Sequence, residues 1–352
     1  MPYLCRQPFE SIGINSLELK SLEFRSLGMC HLVFWSKCLG MSTINSIQED
    51  NLKFIEQLVK KIKPDLKGSV AYIKSGWENL AFGIEDYVVR LPKNESALNA
   101  LYREEQFCQY VLALMPPLAT PDLTVHEVDG YPFSLHRKIG SRLFTRREYE
   151  GLTSYGRDEA AEKLAAFFML MHETPLNYAE TTLRAPKRPG PSSYERMAQT
   201  VEERLDQNLK EFGHAIVREY QSWQTEKPQL VFGHFDLHDG NIGADSNGSL
   251  VGAFDFADCA IGDVHADFAP LFYISPDLAY NTVARYATMT NKVIDPRRIA
   301  VAGAMCEISD LSGDRISPES DDFFNQKLNE WRIALSGGVH FHGPTLQRQF
   351  HI

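Results

Sequence analysis

The chain has 352 residues, 43% of them apolar and 11% aromatic, with 36 Lys and Arg against 46 Asp and Glu, a net charge of −10. At ~100–200 residues per domain this implies two domains or one large two-lobed fold, and the apolar content excludes wholesale disorder. The acidic balance argues against a general nucleic-acid binder, and no apolar run approaches the ~20 residues that a membrane helix needs.

Residues 1–45 lack clear periodicity and hold Glu10, Glu18 and Glu23, acids that a transit peptide would avoid. They read as an N-terminal extension outside the fold, either an upstream addition ending near Met41 or a poorly ordered arm. The six cysteines, Cys5, Cys30, Cys38, Cys108, Cys259 and Cys306, include no CxxC pair. They read as reduced thiols of a cytoplasmic protein.

The folded body starts at Ser46, where Ser46 and Glu49 form a capping box. Leu52, Ile55, Leu58, Val59 and Ile62 follow at helical spacing until Pro64. Strand-like runs at 70–73, 80–84 and 87–91 have short connections, which implies antiparallel hairpins. The next helix places Leu98, Leu101, Cys108 and Leu112 on one face with Glu105 in the same stripe, and Pro116-Pro117 ends it. Two more strand-like runs, near 123–127 and 131–135, complete a first lobe over 46–138.

Helical patterns dominate from 139 to 352. Ala161, Leu164, Ala165, Phe168, Met169 and His172 form one face, and His172 reads as a hydrogen-bonded core residue. A turn-rich stretch fills 181–192. Met197, Val201, Leu205 and Leu209 predict one amphipathic helix. A strand at 230–232 leads into a polar loop, and a strand pair turns at Ser246-Asn247-Gly248. Asp295-Pro296 is a helix N-cap with Pro at the first helical position. Antiparallel strands followed by helices predict an α+β fold of two lobes.

The string His234-Phe-Asp236-Leu-His238-Asp239-Gly-Asn241, followed by Asp255, carries the chemistry. The hairpin between Asn241 and Asp255 folds the chain back, so the two can face each other. One amide and one carboxylate suit Mg²⁺, which completes its shell with phosphate oxygens and water. Asp236 is then free to orient a nucleophile and take its proton, the division of labour that phosphoryl transfer requires.

His234-x-Asp236-Leu-His238-x-x-Asn241 with Asp255 downstream resembles the signature of the aminoglycoside phosphotransferase (choline-kinase-like) family, which shares the protein-kinase fold. Gly76-Trp77-Glu78-Asn79 resembles that family's nucleotide loop, and Val88-Val89-Arg90-Leu91-Pro92 its third strand. Gly262-Asp263 and Asp267-Phe-Ala resemble the segment after its metal aspartate. The resemblance covers roughly residues 65–275. It implies an N-lobe antiparallel sheet with one main helix and a helix-rich C-lobe. It further implies Asp236 as catalytic base, Asn241 and Asp255 as Mg²⁺ ligands, and ATP or GTP as donor. Gly76 and Asn79 would cover the phosphates, and Arg90 would hold them in place of the more usual Lys. The hinge segment His136-Arg137-Lys138 would read the base through its backbone. A helix Glu would pair with Arg90; Glu104 and Glu105 both qualify, and Glu105 is preferred for its place in the apolar stripe.

Two other readings compete. His234, Asp236 and His238 form an HxDxH string that could hold zinc in a hydrolase, which would leave Asn241 idle. A non-catalytic pseudokinase would usually lack the base or a metal ligand, and all three are present. The expected partner is a small hydroxylated acceptor, with no nucleic acid or membrane, acted on by a monomer or homodimer. An acidic stretch of Glu307, Asp310, Asp314, Glu319, Asp321 and Asp322 would favour a cationic acceptor such as an aminoglycoside if it lined the cleft. A solvated acidic surface is the plainer reading. Amino alcohols, sugars, homoserine and macrolides remain open.

Overall fold

The computed structural model describes residues 49–336 except 77, 189, 191–192, 224–226 and 314–319. The extension over 1–45, the cap at Ser46, Trp77, Asp314 and Glu319 lie outside the described residues. Helix α1 (Glu49–Ile62) precedes strands β1 (Ala71–Ser75), β2 (Asn79–Ile84) and β3 (Tyr87–Pro92). Helix α2 (Glu95–Ala113) follows, then β4 (Thr124–Val128) and β5 (Tyr131–Arg137). The five strands form one antiparallel sheet in the order β1-β2-β3-β5-β4. β2 and β5 are buried on both faces, whereas β1 is mostly exposed. Leu80, Phe82 and Ile84 of β2, Val89 and Leu91 of β3, and Phe133 and Leu135 of β5 meet Ile55, Leu58 and Val59 of α1 in one small core.

Helix α2 does not join that core. Its Phe107, Cys108 and Val111 are buried in the larger, C-terminal core. The buried stripe of α2 runs through Ala97, Ala100, Leu101, Glu104, Phe107, Cys108 and Val111. Leu112 is exposed and Glu105 only half-buried. The buried face is thus turned about one residue from the one expected, which changes the Glu that points inward.

Beyond β5 come β6 (Arg142–Leu143), α3 (Arg146–Gly151), α4 (Ser154–His172), α5 (Leu176–Thr181), α6 (Tyr194–Arg204) and α7 (Lys210–Ser222). Then follow β7 (Leu230–Gly233), β8 (Ile242–Ala244), β9 (Leu250–Ala253), a 3₁₀ turn (Phe256–Asp258) and β10 (Ala260–Asp263). The chain continues with α8 (Val264–Phe268), a second 3₁₀ turn (Ala269–Tyr273), α9 (Pro276–Thr290), α10 (Pro296–Leu311) and α11 (Asp321–Leu335). β7 pairs antiparallel with β10, and β6, β8 and β9 form a small antiparallel sheet. The fold is the expected α+β arrangement, an antiparallel N-lobe sheet and a helix-rich C-lobe.

The single helix expected over 197–209 is two. α6 stops at Arg204 because Leu205 turns extended (φ −86°, ψ 147°). The Asp206 N–H donates to Asn325 Oδ1 at 2.8 Å. Gly213 of α7 then packs against Leu205 and Val201, where a methyl group would lie 2.9 Å from Leu205 Cδ1. Leu205 and Leu209 are both buried, but as ends of a corner and not as turns of one helix. No helix among the described residues is long and apolar enough to cross a membrane.

Candidate active site

Asp236 lies in the loop after β7, and its position follows from how that loop is held. Phe235 adopts a left-handed backbone (φ 61°), a conformation that costs a bulky residue ~1–2 kcal/mol. The Asp267 carboxylate offsets that cost. It accepts the N–H of Phe235, and that of His234 at 3.3 Å, in a fully buried setting. Asp267 is itself fixed by His172 Nε2 at 2.7 Å, and His172 Nδ1 meets the Tyr286 hydroxyl at 3.0 Å. His172 is therefore a support of the loop, as its place on a helix face suggested. Gly233 makes the arrangement possible: a methyl group there would sit 2.6 Å from the Asp267 carboxyl carbon.

The Asp236 carboxylate, 37% exposed, faces the cleft. Its Oδ2 accepts from Asn241 Nδ2 at 2.7 Å, and the same amide donates to the Asp236 carbonyl at 2.9 Å. Both amide hydrogens of Asn241 are thereby committed, and no hydrogen bond among the described residues takes its Oδ1. Asn241 also joins the next segment: its carbonyl accepts the Phe254 N–H at 3.0 Å, and the β8–β9 pairing Ile242↔Ala253 continues from there. That hairpin returns the chain to Asp255, which takes a left-handed conformation (φ 65°, ψ 64°) and keeps its side chain 43% exposed. Burial is the main cause that pushes the Asp236 carboxyl up to about 7, with Asp258 and Asp255 adding to it and His238 and Asn241 opposing.

Arg90 projects from β3 to this end of the cleft. Its Nη2 pairs with Glu104 Oε2 at 2.6 Å, its Nη1 lies 3.5 Å from Asp255 Oδ1, and its Nε donates to Ser134 Oγ at 3.4 Å. The partner is thus Glu104 and not Glu105. Glu104 lies on the buried stripe of α2 at 1% exposure, and its other oxygen accepts the Phe256 N–H at 3.2 Å. Burial raises the Glu104 carboxyl to about 7 against the opposing pull of Arg90. Glu105 points elsewhere and accepts the Val125 N–H at 3.0 Å.

The nucleotide loop is a tight turn closed by the Gly76 N–H on the Asn79 carbonyl at 2.8 Å, and Lys93 Nζ donates to the Gly76 carbonyl. The Gly76 amide is therefore engaged within the turn and does not face outward as a phosphate donor would. Asn79 Oδ1 is buried without a hydrogen-bond partner.

Arg137 is not brought to the cluster. Its guanidinium lies over the Tyr87 ring at 5.8 Å, its N–H donates to Asp122 Oδ1 at 3.0 Å, and its carbonyl meets His136 Nδ1 at 2.8 Å. The Lys138 N–H donates to the Asp86 carbonyl. The Arg137 N–H and carbonyl are thus bonded to side chains, and the Lys138 N–H to a turn.

Asp263 caps α8 through the His265 N–H at 3.0 Å and pairs with the His265 ring at 2.7 Å. His234 is buried, with Nε2 against the Phe254 carbonyl at 3.2 Å and Nδ1 taking the Asp236 N–H at 3.3 Å. Among the described residues no three His, Cys, Asp or Glu side chains converge as a metal would need, so the HxDxH string has no zinc geometry. The described acidic stretch does not line the cleft as a group. Glu307 is buried against Tyr273 and Trp331, and Asp321 pairs with Arg204 at 2.5 Å. Only Asp310 of that stretch lines the cavity beside Asp236.

The cavity measures about 800 Å³. One group at this site escaped the sequence reading, and another was the candidate not preferred. Arg188 on the cavity wall sits in the turn-rich stretch between α5 and α6, with no periodicity to mark it. Glu104 had a signal, the 97–100–104–107–111 spacing, which outweighs the Leu98–Leu112 stripe once α2 is known to face the large core.

No curated protein sequence matches the chain. Among solved structures, a GDP complex of wild-type aminoglycoside 2'-phosphotransferase-IIIa superposes with a TM-score of 0.66 at 20% identity, over 82% of this chain and 100% of that one. Macrolide 2'-phosphotransferase type I gives 0.55 at 14% identity over 81% and 99%. A choline/ethanolamine kinase family protein from Mesorhizobium loti gives 0.52 at 14% identity over 84% and 97%. These likenesses show a kinase-like fold. The model of the phosphotransferase enzyme family, APH, matches residues 69–300, about two thirds of the sequence, and the chain belongs to that family.

Proposed function

We propose that this protein transfers the γ-phosphoryl group of a nucleoside triphosphate, ATP in the first instance, to a hydroxyl of a small molecule. The observation that carries the reading is the Asp236–Asn241–Asp255 arrangement. A cleft-facing carboxylate is braced by an amide, and the hairpin base carries a second carboxylate back beside it. Asn241 Oδ1 and the Asp255 carboxylate are two hard oxygen donors, which fits Mg²⁺. Those two residues would hold the ion, which would supply positive charge against the phosphates.

The remaining steps belong to this chain's own groups. Asp236 accepts a hydrogen bond from the acceptor hydroxyl, aligns its oxygen and takes its proton. The raised Asp236 carboxyl, near 7, suits a group that gains and loses a proton near neutrality. Arg90, oriented by Glu104 and Ser134, presents positive charge to the phosphates. Arg keeps that charge at every working pH. The relatives' names include aminoglycoside, macrolide and choline/ethanolamine enzymes, so hydroxylated small molecules are the acceptor class to test.

The decisive experiment is Asp236→Ala assayed for ADP release and for Mg²⁺-dependent ATP binding. Turnover should fall by about a hundredfold or more, while the ATP dissociation constant stays within about threefold. Unchanged turnover would remove Asp236 as the base.

A further inference from the structure

The cavity beside Asp236 contains a cation that nothing in the phosphoryl-transfer scheme uses. Asp236 lines this cavity, whereas Asn241 and Asp255 do not. It therefore opens on the side of Asp236 away from the metal pair, where the acceptor would enter. Arg188 forms part of its wall.

The segment carrying Arg188 is held as an added rung on β10. The Arg188 N–H donates to the Ile261 carbonyl at 2.8 Å, the Ile261 N–H donates to the Pro186 carbonyl at 2.8 Å, and Lys187 bridges Ile261 in parallel. The guanidinium lies 4.9 Å from the centre of the Phe235 ring, and its Nη1 donates to the Phe235 carbonyl at 3.2 Å. Its Nη2 meets Cys306 Sγ at 3.7 Å. Gly262 leaves room for this stack, since a methyl group there would lie 2.7 Å from the Phe235 ring and 3.1 Å from Arg188 Cβ. The cation is thus fixed one residue from the proposed base.

A guanidinium has five N–H groups, and two are engaged here. No carboxylate among the described residues lies within ion-pair distance of Arg188. Asp258 and Asp267 act on it only from beyond that distance, so its planar fork is left to pair with a carboxylate or phosphate. Arg103, Lys227 and Arg298 line the same cavity. Of its carboxylates, Asp263 is occupied by His265, Asp236 is the proposed base, and Asp258 and Asp310 share the wall with Arg188, whose charge opposes the upward push of burial on Asp310. A polycation would meet Arg188 as a like charge.

We propose that the acceptor carries an acidic group, a carboxylate or a phosphate, and that Arg188 binds it while Asp236 receives the hydroxyl. The inference rests on the kinase reading above and names its substrate class.

The test uses the full chain with ATP labelled at the γ-phosphate. One arm offers hydroxy acids such as homoserine, a second offers sugar phosphates, and a third offers neutral or cationic partners of similar size, including free sugars, ethanolamine and kanamycin. Label should pass to members of the first or second arm, and which arm accepts it identifies the acid as carboxylate or phosphate. For the accepted compound, Arg188→Gln should raise KM about tenfold or more with the KM for ATP unchanged, and Arg188→Lys should recover part of the loss. Transfer to no acid-bearing compound overturns the proposal, as does an Arg188→Gln enzyme with an unaltered KM for the accepted acid. Mg²⁺-dependent ATP binding is measured in parallel: if it is intact while every acid is ignored, only this inference fails, and if it is absent the kinase reading fails as well.

Discussion

The catalytic loop and the nucleotide turn are both short, glycine-bearing connections, yet they are held very differently. The loop at 233–241 is fixed from inside the core. A fully buried carboxylate, Asp267, takes two of its amides and is itself held by His172. The turn at 75–79 is closed by one backbone bond and by Lys93 reaching in from solvent. The first is set before any ligand arrives, as positioning catalysis demands. Among the described residues the second is held by Lys93, whose N–H also donates to the Glu78 carbonyl, and it leaves a buried Asn79 oxygen unmatched. A strained backbone, such as Phe235 here, persists only where its surroundings over-determine it.

Alanine at the two glycines gives the largest contrast. In Gly233→Ala the new methyl group collides with the Asp267 carboxyl and the Phe235 ring. We expect a loss of about 3 kcal/mol or more in stability and turnover near background. In Gly76→Ala the nearest atom is the Asn79 carbonyl at 3.4 Å, an ordinary contact, so melting temperature should hardly move and any effect should fall on the KM for ATP. Thermal melts and ADP-release kinetics of both variants decide it, and equal damage from the two would erase the distinction.

Next in size is the pair Glu104→Gln and Glu105→Gln. The first leaves Arg90 charged, buried and short of its counter-ion, which costs about 2–4 kcal/mol and should weaken ATP binding by tenfold or more. The second removes a charge that is half-exposed and bonded to one amide, so it should cost under about 1 kcal/mol. Calorimetric ATP titration of the two variants side by side tests the assignment, and a larger effect at Glu105 would reverse it.

The smallest effect is a pH dependence in the N-lobe sheet. Burial, helped by Arg90, lowers the His136 imidazole from 6.5 to about 4. The unfolded chain therefore binds that proton more readily than the folded one below 6.5. The stability linked to neutral His136 is full above 6.5 and is lost as pH falls from 6.5 towards 4. Denaturant titrations across that window should show a shallower acid limb for His136→Gln than for the parent chain.

Much of this was legible in the sequence because it was local. The strands of the N-lobe are short apolar runs with tight connections, and Asp236, Asn241 and Asp255 lie in one short stretch of chain. What escaped is long-range. The inward Glu of α2 depends on which core the helix faces, and the apolar stripe that favoured Glu105 does not reveal that. The break at Leu205 depends on a hydrogen bond from α11, far along the chain. Arg137 falls at the right place in the sequence, but the side chains of Asp122 and His136 bond its backbone. Arg188 acquires meaning only when its turn-rich segment is laid along β10.

The packing of α2 has one more consequence. Its C-terminal half is buried in the large core, and Glu104 grips Arg90 with one oxygen and the amide after Asp255 with the other. In a protein whose equivalent helix could swing outward, that ion pair would serve as an on–off switch. Here, withdrawing the helix would mean extracting Phe107, Cys108 and Val111 from the core at the same time. Moving that ion pair would therefore mean moving part of the large core with it.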